Sequence, residues 1–158
     1  MAAAELDKTT DGSRLFSGSA DDTIKVQTLQ GHADIVFSVC VSADGSRLFS
    51  GSGDFTIKAW DVATGACVQT LQGHAKSVNS VCVSADGSRL FSGSWDNTIK
   101  VWDVATGACL QTLEGHAGWV RSVCASADGS RLFSGSDDDT IKVWDVATGA
   151  CLQTLEGH

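Results

Sequence analysis

Short runs rich in β-forming residues alternate with turn sequences along most of the chain. In residues 73–114 the first run is Val78–Ser84, and Asp86-Gly87 follows it. Asp-Gly between two such runs favours a hairpin, because glycine adopts the positive φ that the turn requires. The later runs of this unit are Arg89–Ser94, Thr98–Asp103 and Cys109–Leu113. The pattern predicts four antiparallel strands joined by three tight connections, with no helix.

This unit recurs along the chain with a period of 42 residues, and 33 of its 42 positions are identical in every complete copy. The complete copies are residues 31–72, 73–114 and 115–156. Residues 1–10 form an extension without similarity to the unit, residues 11–30 are a degenerate copy, and residues 157–158 match the start of a further copy. A single four-stranded sheet cannot bury both of its faces. The repeat therefore predicts stacked sheets, as in the blades of a β-propeller.

Each complete copy opens with Gly-His and has a Trp-Asp pair 28 residues after the histidine. The pairs are Trp60-Asp61, Trp102-Asp103 and Trp144-Asp145. These residues resemble the WD-repeat (β-transducin-like) family, and the similarity covers the chain from residue 11 onwards. The resemblance implies an all-β fold with three complete propeller blades and one degenerate N-terminal blade. It also implies that the first strand of each blade lines a central channel and the fourth lies at the rim.

Histidine, serine, aspartate and tryptophan recur at fixed offsets in every complete copy. The sets are His32/Ser50/Asp54/Trp60, His74/Ser92/Asp96/Trp102 and His116/Ser134/Asp138/Trp144. Serine, histidine and aspartate are also the residues of a catalytic triad, but an enzyme needs one such set in one cleft, whereas a repeat needs one per module. The resemblance implies instead a buried chain in which aspartate accepts from histidine, histidine meets serine, and serine accepts from the indole N–H. We therefore predict no catalytic residue, no cofactor and no metal site.

The degenerate copy and the C-terminus depart from the family pattern. The degenerate copy keeps Ser17 and Asp21, but Gln27 stands where the tryptophan belongs, and His158 is followed by none of its partners. The sequence therefore does not predict whether the blades form a closed ring.

Five of the nine variable positions change size, charge or polarity between copies. They are Asp34/Lys76/Gly118, Ile35/Ser77/Trp119, Phe37/Asn79/Arg121, Gly53/Trp95/Asp137 and Phe55/Asn97/Asp139. The first three precede or begin the first strand. The other two flank the aspartate that bonds the histidine, so all five are expected at one end of each blade. Large aromatic and arginine side chains are enriched at binding hot spots. We predict a partner-binding face here, with neutral drift of surface positions as the alternative.

The formal charge of −8 comes without any basic run. Binding to nucleic acid or to an anionic membrane surface is disfavoured, since both depend on clustered lysine and arginine. No apolar run is long enough to span a membrane, and the first residues lack the layout of a signal peptide. We expect a soluble, intracellular, cytoplasmic protein. The six cysteines form no C-x-x-C pair, and we expect them to be small buried thiols.

These observations favour a non-catalytic scaffold or recognition module that binds a protein or peptide ligand through one propeller face. Two alternatives remain. Exposed strand edges pair with other strands, so one alternative is a self-assembling subunit, a homo-oligomer in which two copies complete the ring. The other is a fragment of a larger WD-repeat signalling protein.

Overall fold

The computed structural model describes residues 14–18 and 24–157, and this part of the chain contains strands and turns but no helix. Residues 1–10, Asp21 and His158 lie outside the described residues, as does much of the degenerate copy. From that copy, β1 (Arg14–Gly18) pairs with β2 (Ile24–Thr28) in a two-stranded antiparallel sheet.

Each complete copy folds into one four-stranded antiparallel sheet, in which neighbours in sequence are neighbours in space. Blade 1 consists of β3 (Val36–Val41), β4 (Arg47–Ser52), β5 (Ile57–Asp61) and β6 (Cys67–Leu71). Blade 2 consists of β7 (Val78–Val83), β8 (Arg89–Ser94), β9 (Ile99–Asp103) and β10 (Cys109–Leu113). Blade 3 consists of β11 (Val120–Ala125), β12 (Arg131–Ser136), β13 (Thr140–Asp145) and β14 (Cys151–Glu156). The predicted all-β class and the four-stranded meander are confirmed.

The connections within a blade are built by glycine and by short polar side chains. In blade 2, Gly87 has a φ of 71°, and the Ser84 N–H donates to the Arg89 carbonyl at 2.8 Å to close the first hairpin. The third connection uses Gly107, with a φ of 74°, and the Asp103 carboxylate accepts from the backbone N–H and the hydroxyl of Thr106. These invariant turn residues explain why the three sheets have the same register.

The apolar core lies between blades rather than within them. We call the side of a blade that faces the next blade in sequence its trailing face, and the opposite side its leading face. The trailing face of blade 1 and the leading face of blade 2 form one buried cluster, composed of Phe49, Ile57, Ala59, Leu71, Val78, Val81, Leu90 and Trp102. Blades 2 and 3 form the equivalent cluster, which includes Phe91, Ile99, Val101, Leu113, Val120, Val123, Leu132 and Trp144. Each blade is therefore stabilised mainly by its neighbours.

Neighbouring blades also meet through their first strands. The Val81 N–H in β7 donates to the Ser38 hydroxyl in β3 at 3.1 Å, and the Val123 N–H in β11 donates to the Ser80 hydroxyl at the same distance. Ser38 and Ser80 occupy equivalent positions in their blades, so one recurring serine fixes the offset between successive blades. None of the described residues forms a helix long and apolar enough to cross a membrane.

Candidate partner-binding face

The recurrent polar residues form a continuous hydrogen-bonded chain in each blade. In blade 2, His74 Nδ1 lies 2.8 Å from Asp96 Oδ2, and His74 Nε2 lies 2.7 Å from Ser92 Oγ. The indole N–H of Trp102 donates to the same serine oxygen at 2.8 Å. The other two sets, His32/Ser50/Asp54/Trp60 and His116/Ser134/Asp138/Trp144, have the same connections and the same distances.

A threonine outside the predicted His/Ser/Asp/Trp sets completes this arrangement. The backbone N–H and the hydroxyl of Thr98 both donate to Asp96 Oδ1, and the Ala75 N–H donates to Oδ2. Burial raises the pKa of Asp96, but the hydrogen bonds from His74 and Thr98 outweigh it and hold the pKa well below 3.8. The signal was available, because threonine follows two residues after this aspartate in every complete copy: Thr56, Thr98 and Thr140.

The burial of this chain argues against a nucleophilic role for the serine. Ser92 is fully buried, and His74 is only 7% exposed. The serine oxygen already bonds both a histidine and an indole, so no path leads from it to a substrate. The chain instead ties the loop that opens each blade to the turn between its second and third strands. Among the described residues, no group of three or more His, Cys, Asp or Glu side chains has a geometry that would hold a metal ion.

The equivalent serines of the other two blades are just as inaccessible. Ser50 is buried at 3% exposure and Ser134 is buried at 2% exposure, so neither serine belongs to an accessible site, as its place in the structural hydrogen-bonded set requires. Ser50 accepts from the Trp60 indole N–H, and Ser134 accepts from the Trp144 indole N–H, both at 2.8 Å. The residue types alone would also fit a catalytic triad, but the burial of Ser50 and Ser134 contradicts that interpretation. Both serines are interior hydrogen-bond partners that neither a substrate nor a protein ligand can reach.

The contact between the opening loop of each blade and the turn after its second strand also brings the variable positions together. In each blade, the N–H of the residue before the turn aspartate donates to a carbonyl in the opening loop. Trp95 donates to Ser77 at 3.0 Å and Asp137 to Trp119 at 3.0 Å, while Gly53 donates to Ile35 at 2.8 Å. The two variable segments therefore lie side by side at one end of every blade.

Most of the variable positions reach solvent. Those that are exposed are Asp34, Ile35, Phe55, Lys76, Trp119, Arg121, Asp137 and Asp139; those that are half-buried are Phe37, Asn79, Trp95, Asn97 and Gly118. Two positions are buried, which corrects their assignment to an accessible face. Ser77 is 7% exposed, with its carbonyl held by Trp95. At Gly53 the Asp34 carboxylate fills the space, and an added Cβ would lie 2.8 Å from its oxygen.

An aromatic row made of Phe37, Trp95 and Trp119 crosses from blade 1 to blade 3. The ring centroids of Trp95 and Trp119 are 4.5 Å apart, with planes inclined by only 11°, and the Phe37 and Trp95 centroids are 5.5 Å apart. The Arg121 guanidinium lies 5.0 Å from the Trp119 centroid and 5.7 Å from the Trp95 centroid. Its Nε and Nη2 atoms each donate to an Asp137 carboxylate oxygen at 2.7 Å. Each of the three blades contributes one ring to this surface.

A comparison with protein families gives a decisive match. The model of the WD domain, G-beta repeat family matches residues 25–61, 65–103 and 107–145, which is well over half of the chain. The chain belongs to the WD-repeat family. A comparison with curated protein sequences found no match.

Two solved WD-repeat structures are similar to this chain. The first, "Structure of U3-55K", is 31% identical with a TM-score of 0.80, over 82% of this chain and 42% of that one. The second, "Crystal structure of RRP9 WD40 repeats", is 27% identical with a TM-score of 0.81, over 98% of this chain and 44% of that one. This WD-repeat chain therefore spans less than half the length of either neighbour.

The WD repeat that the family defines does not coincide with one blade. The match at residues 65–103 begins at the fourth strand of blade 1, β6, and ends with β9 of blade 2. This repeat and the one at residues 107–145 therefore each join the outer strand of one blade to the first three strands of the next. The covalent chain and the apolar clusters link the same pairs of blades.

Several variable positions of these WD repeats have features that disfavour folding, namely a positive φ at a non-glycine residue or a buried polar atom without a hydrogen bond. Phe55, Asn97 and Asp139 have φ values of 72°, 69° and 62°. Asparagine and aspartate tolerate this left-handed region, but a bulky phenylalanine does so at a cost. The indole nitrogen of Trp95 is buried and has no hydrogen-bond partner among the described residues. Trp119, which stacks on Trp95, also lines a shallow pocket of about 240 Å³ together with Lys76, Asn97, Ala117, Gly118 and Asp137.

The expectation that the cysteines are buried is wrong for four of the six. Cys67, Cys109, Cys124 and Cys151 are exposed, while Cys40 and Cys82 are half-buried, and all six are free thiols. Cys67, Cys109 and Cys151 begin the outer strands, where side chains face solvent. Burial raises the pKa of the Cys40 and Cys82 thiols to about 12. Both therefore remain protonated at neutral pH.

Proposed function

We propose that this chain is a non-catalytic recognition module whose variable positions bind a protein or peptide ligand. The observation that carries the proposal is the aromatic row of Phe37, Trp95 and Trp119. Its three rings come from three blades, and all of them stand at positions that differ between otherwise nearly identical copies. Drift of surface residues would not by itself place stacking partners in neighbouring blades.

The residue types fit a binding hot spot. Tryptophan and arginine are the side chains most enriched where alanine substitution abolishes binding. The guanidinium of Arg121 is held over two indole rings and oriented by Asp137, so it presents a fixed shape rather than a mobile charge. A preorganised surface loses less side-chain freedom on binding, which favours affinity.

The unfavourable features of this face support the same interpretation. A buried polar group without a partner costs about 1–3 kcal/mol, and Trp95 retains such an indole N–H. Phe55 holds an unfavourable backbone conformation while the residue remains 47% exposed. Local strain of this kind is concentrated at functional sites, since stability alone would remove it.

Affinity selection from a displayed peptide library provides the test. Wild-type protein should enrich peptides that the Trp95→Ala/Trp119→Ala double variant fails to bind, while both proteins keep the same circular dichroism spectrum. The matched control is Leu110→Ala, which removes an exposed apolar side chain from the outer strand of blade 2. This control should bind the enriched peptides as the wild type does. Undiminished binding by the double variant would refute the assignment of this face.

A further inference from the structure

The trailing face of blade 3 is apolar and uncovered in the part of the chain that the structure describes. Ile141 is 37% exposed and Leu155 is 41% exposed. The equivalent residues of blade 2, Ile99 and Leu113, are 0% and 4% exposed because blade 3 covers them. The residues are identical in type, so the difference arises because no blade packs on this face of blade 3 within the described residues.

A glycine in the middle strand of each blade shows the shape of the missing neighbour. A Cβ added to Gly51 would lie 2.7 Å from a methyl group of Val78, and one added to Gly93 would lie 2.6 Å from a methyl group of Val120. The same atom added to Gly135 would meet nothing within 4 Å. The face of blade 3 thus has an open recess that, in both other blades, receives a valine from the first strand of the next blade.

The chain carries a surface with the matching residues at its other end. The leading face of blade 1 has Val36 and Val39 where blades 2 and 3 have Val78/Val81 and Val120/Val123. The latter four are at most 5% exposed, whereas Val36 and Val39 are half-buried. Blade 1 therefore has the valine pair that fits the recess, and this pair is only partly covered.

A polar contact repeats in the same direction. The hydroxyls of Ser38 and Ser80 accept hydrogen bonds from Val81 and Val123 in the next blade. Ser122, the equivalent serine of blade 3, is exposed and accepts no such bond within residues 29–157. In a continued stack its partner would be the N–H of a valine at the position of Val39.

We propose that the trailing face of blade 3 binds the leading face of blade 1 in a second copy of this chain. Val36 of one copy occupies the recess at Gly135 of the other, and the Val39 N–H donates to the Ser122 hydroxyl. The interface is head-to-tail, so two different surfaces meet. Repetition of such an interface either closes a ring or extends as an open stack. The occupant is identified by the two internal blade contacts, which show twice what covers this face.

Sedimentation of three proteins, each alone and then mixed, tests the proposal. Wild-type protein should self-associate with rising concentration, while Ile141→Asp and Val39→Asp, which damage opposite surfaces, should each be monomeric. An equimolar mixture of the two variants should form a one-to-one complex, because each contributes the surface that the other lacks. A wild type that stays monomeric up to millimolar concentration would overturn the proposal. Dimers of Val39→Asp alone would also overturn it, since the trailing face would then bind its own copy.

Two further measurements make the result independent of the folding of one variant. Leu155→Lys alters the same face at an exposed strand edge and replaces Ile141→Asp if that protein fails to give a native circular dichroism spectrum. In the wild type, alkylation of Cys124 should slow as concentration rises, because its equivalents Cys40 and Cys82 are half-buried at blade contacts. Cys109, on an outer strand, should react at a constant rate. Equal rates at Cys124 throughout the association range would contradict the assigned interface.

Discussion

Blades 2 and 3 differ at only six of their 42 positions, yet their environments are unlike. In blade 2 the side chains of Phe91, Ile99 and Val101 are completely buried. In blade 3 the equivalent Phe133, Ile141 and Val143 all keep some exposure. The hydrogen-bonded His–Asp–Ser–Trp chains of the two blades have the same distances. The internal fastening of a blade therefore follows from its own sequence, whereas the burial of its faces depends on its neighbours.

The largest difference in the free energy of unfolding should come from truncating the equivalent isoleucines on the trailing faces of blades 2 and 3. Ile99→Ala leaves a cavity in a closed cluster and should lower the free energy of unfolding by about 2–5 kcal/mol. Ile141→Ala removes a side chain that already meets solvent and should cost only about 1 kcal/mol. Urea denaturation of dilute protein would measure both. Equal losses would show that blade 3 is covered in solution, against the contrast between the two blades.

Removal of the turn aspartate should have the next largest effect on stability, and the loss should be the same in blades 2 and 3. Asp96→Ala and Asp138→Ala each leave a buried histidine and a threonine without their acceptor, at a cost of about 2 kcal/mol. Thermal unfolding would show both losses. Asp137→Ala is the control, because it breaks only an exposed ion pair worth about 0–1 kcal/mol. A harmless Asp138→Ala would mean that the fastening of blade 3 does not depend on its own residues.

A fall in pH should reduce the stability of blades 2 and 3 by similar amounts. Hydrogen bonds from Ser84 and Ser88 lower the pKa of Asp86 from 3.8 to about 2. Hydrogen bonds from Ser126 and Ser130 lower the pKa of Asp128 by the same amount. A lowered folded-state pKa contributes stability that is complete above 3.8. That contribution is lost as pH falls towards about 2. Melting temperatures across this window should fall less steeply for Asp86→Asn and for Asp128→Asn, by similar amounts. A steep fall that is unchanged in both variants would place the acid sensitivity elsewhere.

The smallest effect extends the comparison to the turn before the third strand. Phe55→Gly should raise the free energy of unfolding by about 0.5–1 kcal/mol, because glycine adopts the positive φ without strain. Asn97→Gly should change it by only a few tenths of a kcal/mol, since asparagine tolerates this region. Chemical denaturation of the two variants side by side would distinguish them. A loss of stability in Phe55→Gly would indicate that its ring makes a stabilising contact.

Much of the fold could be predicted because the repeat carries its own turn and strand signals. The runs Arg89–Ser94 and Cys109–Leu113 coincide with β8 and β10, and Val78–Ser84 is one residue longer than β7. The prediction Thr98–Asp103 begins one residue before β9. The Asp-Gly and Thr-Gly turns decide these boundaries locally, so they do not depend on the rest of the chain.

The remaining features depend on contacts between distant residues. Ser77 and Gly53 looked like members of an exposed surface, but an adjacent loop hydrogen bond and the Asp34 carboxylate cover them. The stacking of Trp95 on Trp119 requires two blades at a fixed offset, which no local pattern contains. For the same reason, the nearly identical copies do not indicate by themselves that Ile141 and Leu155 of blade 3 are exposed.

The serines of the hydrogen-bonded His–Ser–Asp–Trp chains differ from Ser77 and Gly53, because the repeat already indicated a structural role for them. Ser50 and Ser134 have the residue types of a catalytic triad around them, and residue type does not say whether a hydroxyl reaches solvent. In the structure both are buried beneath a histidine and a tryptophan of their own blade, so they differ from accessible site residues. Repetition in every copy and the resemblance to the WD-repeat family were the sequence signals that favoured the structural role.

The recess at Gly135 has a practical consequence for engineering. In the two other blades an added side chain at this position would collide with a valine, so Gly51 and Gly93 tolerate no substitution without rearrangement. At Gly135 an added Cβ would meet nothing within 4 Å among the described residues. A substitution there would act as a cap that limits how many blades stack, while the blade that carries it folds unchanged. The length of an array built from this repeat is therefore adjustable at one residue.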